Sequence, residues 1–141
     1  MLGHNPPDIW QPKQGISHAV AAGSGRQIFV TGQIAFDEQR RVVGKGDVGR
    51  QMEVCIAHVE RILDGFGGGV GDVVSLTVFY TDPGQLDAIR AAWAATFEAT
   101  GTAPACVMIQ VAGLINPDLL VELIPTVVVP EERFRVPQTD G

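Results

Sequence analysis

At 141 residues the chain has the length of one domain, long enough to bury a core without disulfides or a structural metal. Charged residues make up 18% of it, against about 25% in an average soluble protein. Its 16 acids and 10 bases leave a net charge of −6, so the basic excess that draws proteins to phosphate backbones or anionic lipid is missing.

That balance argues against nucleic acid as a primary partner, and so little charge on a small domain points to surface hidden by a partner. The two cysteines, Cys55 and Cys106, show no CxxC or Cys/His spacing, so neither a disulfide scaffold nor a metal site is expected. The first residues, Met1 to Pro7, lack the basic start and apolar run of a signal peptide. No stretch reaches the roughly 18 apolar residues of a membrane span. A soluble, cytoplasmic protein is the expectation.

In chain order, Pro6, Pro7 and Pro12 make residues 1–14 an extended arm, irregular rather than a strand or helix. Residues 17–22 and 27–35 read as a strand pair turned at Gly23-Ser24-Gly25, with a short strand at residues 41–44. Asp47 is a good N-cap for a helix ending at Gly65. Along it Val48, Met52, Cys55, Val59, Ile62 and Phe66, spaced 4, 3, 4, 3 and 4, form one apolar stripe. Residues 73–80 are β-branched and aromatic, hence a strand. Asp82-Pro83 opens a second helix, buried through Leu86, Ile89, Trp93 and Phe97 and closed by Gly101. Strands follow at residues 105–111 and 119–129, and residues 130–141 form a polar, loose tail.

This order, β-β-α-β-α-β-β in a single domain spanning residues 1–141, predicts an α+β sandwich with two helices on one face of a mixed sheet. The final strand is apolar at nearly every position, as strands buried on both faces are. Two helices cover only one face, so the other calls for a neighbouring subunit.

Glu122 is the one ionisable group in that apolar strand. A carboxylate there must be paired, hydrogen-bonded or turned to a wet cleft; burial would raise its pKa and suit it to handling water as a base. The competing reading is a structural carboxylate. Cys106, behind Pro104-Ala105, is either a nucleophile of lowered pKa or a small buried hydrophobe. His18 is either a proton carrier or a structural histidine. Arg90, bordering the second helix's stripe, either reaches into a cleft to hold a carboxylate or lies in solvent. The Gly67 to Gly71 cluster follows a helix and precedes a strand, the reverse of a phosphate loop.

The stretches Ile28-Phe-Val-Thr-Gly-Gln-Ile34 and Gly71-Asp-Val-Val-Ser-Leu-Thr-Val-Phe79, with Pro104-Ala105 and Val121-Glu122, together resemble the RidA/YjgF family, also called endoribonuclease L-PSP. The resemblance implies a homotrimer of chorismate-mutase-like subunits of the bacillary type, whose sheets form a barrel with a small-molecule cleft at each interface. It implies hydrolysis of reactive enamines and imines to keto acids and ammonia with no cofactor and no metal. Some relatives deaminate 2-aminomuconate, and others were described as ribonucleases or translation inhibitors.

Carried over residue by residue, Thr31 with Gly32 and Glu122 match the family's pattern, Glu122 at its water-associated glutamate. The carboxylate-gripping arginine is replaced by Cys106, the cleft tyrosine falls on Ile16, and the helix-two asparagine falls on Arg90. The resemblance is therefore to a branch without that arginine. The leading expectation is a deaminase-type hydrolase with a non-standard substrate: Glu122, Thr31 and Cys106 are catalytic, and Arg90, Ile16, His18 and Gly32 bind substrate. The alternative is a trimer that binds a metabolite or protein without turnover, and the third is an endoribonuclease.

Overall fold

The protein is described from a computed structural model that covers residues 1–138. Six strands and two helices follow in the order β1 (Leu2–His4), β2 (Ala19–Ala21), β3 (Arg26–Phe29), α1 (Val48–Gly65), β4 (Val73–Tyr80), α2 (Leu86–Thr100), β5 (Ala105–Gln110) and β6 (Val121–Val129). Short 3₁₀ turns, Val70–Asp72 and Pro83–Gln85, lead into β4 and α2.

The main sheet is ordered β3-β6-β4-β5. It is mixed: β6 runs antiparallel to β3 and β4, while β4 and β5 are parallel. The parallel pair needs a crossover, which α2 supplies. Both helices pack on one face, giving the α+β sandwich expected. Their apolar stripes, with Met52, Cys55 and Leu63 from α1 and Ile89, Trp93 and Phe97 from α2, are buried with Leu76, Val78, Leu123 and Val127 of the sheet. Leu63, rather than the half-buried Ile62, completes the α1 stripe.

The helix boundaries follow local chemistry. The Asp47 side chain accepts from the Arg50 N–H (3.0 Å) at the start of α1. At its end the Gly68 N–H returns to the Leu63 carbonyl (2.9 Å), with Gly67 at φ +78° turning the chain. Gly101, at φ +70°, ends α2.

Four expectations need correction. The arm is not wholly irregular: β1 pairs antiparallel with β2 in a separate two-stranded sheet. Consequently residues 17–22 and 27–35 form no hairpin, since β2 joins the arm and β3 joins β6. Residues 41–44 contribute only one bridge, Phe36 to Val42. The tail is tied down as far as it is described: Arg133 pairs with Asp72 through both oxygens, Phe134 stacks on Phe66, and the Arg135 N–H donates to the Phe66 carbonyl (3.1 Å). Residues 139–141 of the predicted tail lie outside the described part.

Candidate functional site

Along β6 burial alternates, so only one face of this apolar strand is covered within the chain. Val121, Leu123, Val127 and Val129 lie under the helices, whereas Glu122, Ile124, Thr126 and Val128 point away and are half-buried. Register places Phe79 and Ile109 on the outer face with Glu122, and Thr77 and Val107 with Ile124. Phe29, opposite Thr126 on the β3 edge, stands at this face with 76% of its surface exposed, and on the opposite edge, β5, Val107 is 54% and Ile109 41% exposed. The half-buried Phe79, Ile124 and Val128 lie between these edges, and an apolar face of this breadth is unusual on an isolated domain.

The Glu122 carboxylate accepts no hydrogen bond within the described residues. It lies against Gly32, where a Cβ would meet its Cδ at 2.8 Å. The loop that carries Gly32 is held to β6 by two backbone bonds, Gln33 N–H to the Leu123 carbonyl (2.7 Å) and the reverse (3.0 Å). Burial pushes the Glu122 carboxyl above its ordinary range. Thr31, exposed at the lip, lines with Gly32 and His58 an open recess of about 550 Å³.

Cys106 lies elsewhere. Its neighbour in register is the buried Leu76, so its side chain is on the helix side of the edge strand β5, packed against the core. Burial raises its thiol to about 11, against the pull of the nearby Arg90 charge. A thiol protonated at neutral pH is a poor nucleophile. Cys55, raised to about 12 by burial and then by the Glu122 charge, is core.

Ile16 joins this second cluster. The Ser17 N–H donates to the Pro104 carbonyl (3.0 Å), and Trp93 Nε1 donates to the Gly15 carbonyl (3.1 Å). These bonds hold Ile16 between α2 and the start of β5. Arg90 approaches from α2, with its Nε buried and unpartnered. His18 is engaged by the arm: its Nε2 meets the Trp10 carbonyl, its ring stands edge-on to Trp10 at 4.3 Å, and its N–H donates to Asn5 Oδ1 (2.7 Å).

Thus, with His18 held apart by the arm, the other predicted residues form two groups: Thr31, Gly32 and Glu122 on the outer face, and Ile16, Cys106 and Arg90 on the helix side. Two strand spacings and three residues of register separate Cys106 from Glu122, roughly 14 Å along the sheet, besides the change of face. One chain does not bring them together. His58 was passed over because it neighbours the apolar stripe of α1. Gln51, fully buried, was missed as well: its Nε2 donates to the carbonyls of Gly44 (3.0 Å) and Asp118 (2.9 Å), and its Oε1 accepts from the Leu120 N–H (2.8 Å). A glutamine between Val48 and Met52 in an apolar stripe was the available signal.

No helix among the described residues is long and apolar enough to cross a membrane. The sequence model described as Endoribonuclease L-PSP matches residues 9–129. Among solved structures, the Rid family protein YyfB of Yersinia pestis, itself of unknown function, is 31% identical. The match covers 91% of this chain and 98% of that one, at a TM-score of 0.82. The YjgF gene product of E. coli is 27% identical over 83% of this chain and 98% of that one, at a TM-score of 0.66. E. coli TdcF, solved with bound serine, is 26% identical over 90% and 91%, at a TM-score of 0.66. With these motifs on this fold, the chain belongs to the RidA/YjgF family, the endoribonuclease L-PSP family.

Proposed function

We propose that the protein is a small-molecule hydrolase of the imine or enamine deaminating type, with its site completed between subunits of a trimer. The observation that carries this reading is Glu122: a half-buried carboxylate of raised pKa, without a hydrogen-bond partner in the described chain, on an apolar face the chain leaves bare. An unpaired carboxylate in such a place costs stability and serves no structural bond. In contact with a neighbour it suits proton transfer to and from water.

In the proposed reaction Glu122 takes a proton from water as the oxygen attacks the C=N carbon. The C=N π electrons move to nitrogen, which is protonated. The resulting carbinolamine collapses to the carbonyl and releases ammonia. Thr31 and backbone groups beside it hold the polarised atom, while Ile16, Cys106 and Arg90 of the adjoining subunit form the other wall. TdcF's bound serine is in keeping with a small amino-acid-like ligand.

The test is ammonia release from 2-aminoacrylate and 2-iminobutyrate generated in situ. Glu122→Gln is expected to lower kcat/KM by at least about 100-fold; a variant with undiminished turnover would sink the proposal. Cys106, where an arginine would grip a carboxylate, favours a second reading, a trimer that binds without turnover. Saturable binding with no ammonia release by the wild type would select it. With a net charge of −6, ribonuclease action has the least support.

A further inference from the structure

Among the described residues, exposed large apolar side chains gather on the arm: Met1, Leu2, Ile9 and Trp10, the last 73% exposed. The arm that carries them is nevertheless held in place. β1 is paired with β2, and the Gln11 side-chain amide donates to the carbonyls of Pro6 (2.8 Å) and Ile9 (2.9 Å). Asn5 and Trp10 are both tied to His18. Ordering a segment costs conformational entropy, and an indole left in water returns little of it. A tryptophan fixed before contact loses little further freedom on docking, and tryptophan is prominent among the residues that dominate interface energies.

The chain also carries a hole to match this knob. The loop after β3 and α1 enclose the open recess of about 550 Å³, where the half-buried apolar side chains of Ile34 and Phe36 lie beyond the lip at Thr31. The Asp37 carboxylate is engaged by Arg41 and the Gln39 N–H. That leaves the exposed Glu38 carboxylate and Thr31 hydroxyl as acceptors for an indole N–H.

Within one chain the two are set apart. Trp10 is fastened to His18, whose neighbour Ser17 is bonded to Pro104 at the start of β5, whereas the recess adjoins β3. β5 and β3 are opposite edges of the sheet, three strand spacings or roughly 14 Å apart. A knob at one edge and a hole at the other make a head-to-tail contact, the kind that closes into a ring. The proposed assembly sets the Ile16 side of one subunit against Thr31 of the next, and Trp10, tied two residues from Ile16, arrives with it.

We propose that Trp10 docks in the recess beside Thr31 on the adjoining subunit, so that the arm fastens one copy of the chain to the next. The inference rests on the reading of a site shared between subunits.

Acrylamide quenching of fluorescence, with Trp10→Phe as the blank, isolates Trp10, because Trp93 is buried. Quenching of Trp10 should fall several-fold, and its emission shift to the blue, between a sample dissociated by dilution or by Phe29→Asp and the assembled protein. Equal quenching in the two states overturns the proposal. Trp10→Asp should raise the dissociation constant of the assembly at least about tenfold; undiminished assembly overturns it as well. In a chain carrying both Trp10→Cys and Glu38→Cys, mild oxidation should give covalent dimers and trimers that neither single substitution gives. Linkage only within one chain, or none, counts against the contact. If Trp10→Asp fails to fold, quenching of the wild type and the cross-link decide.

The outcomes keep the two claims separate. An assembled protein with Trp10 unprotected and turnover dependent on Glu122 removes the arm contact alone. Trp10 protected, with full turnover in Glu122→Gln, removes the hydrolase reading alone. A wild type that stays monomeric removes the shared site and the arm contact together.

Discussion

At Glu122 the raised pKa has a definite sign. The folded chain holds the proton more tightly than the unfolded chain, so this group's contribution to stability is present below its ordinary value of 4.5 and lost as pH rises through the higher folded value. Glu122→Gln should therefore raise Tm near neutral pH, with the gain shrinking as thermal scans move to acid. A gain that grows in acid would contradict the assignment. The same shift should lift the acid limb of kcat/KM above the ordinary carboxylate range. Gly32 tests the geometry independently. A Cβ there meets the flexible end of Glu122 at 2.8 Å, so Gly32→Ala should displace the carboxylate and lower kcat/KM about tenfold or more. Tm should move by only a few degrees, because a side-chain tip rather than backbone must yield. Glu122 was legible in the sequence because a lone charge in an apolar strand stands out; its partner Gly32 was legible only through the family motif.

Among the elements, those with their own punctuation were read well. Asp47 caps α1, Asp82-Pro83 precedes α2, and Gly101 ends it, each through bonds within a few residues. The β1–β2 pairing was not readable, because Pro6, Pro7 and Pro12 between the strands mark an irregular arm rather than a short hairpin turn, and Gly23-Ser24-Gly25 imitated one. Gln51 ties the start of α1 to the approach to β6 with three bonds. Gln51→Leu strands two carbonyls and an N–H, and should destabilise the fold by about 2–5 kcal/mol in urea unfolding. A loss below about 0.5 kcal/mol would mean these groups find other partners.

For the whole molecule, the bare sheet face and the divided site lead to one expectation. The proposed trimer covers Phe29, Val107 and Ile109 and brings the Glu122 group of one subunit to the Arg90 group of another. Phe29→Asp places a charge on this face and should yield a smaller species in light scattering, with ammonia release falling in parallel. A wild-type monomer with full turnover would refute both the assembly and the shared site.

The sequence by itself determined the helices, the main strands, the mixed α+β class and the family, since caps, periodicity and motif spacing are local and survive without coordinates. It also singled out Glu122 and Arg90 as residue types in unusual settings. Only the tertiary structure decided that they lie on opposite sides of the sheet, that Cys106 is a half-buried thiol of raised pKa on the helix side, and that Gln51 bridges distant segments. Those outcomes depend on strand order and register, which place residues by pairing across the chain rather than along it.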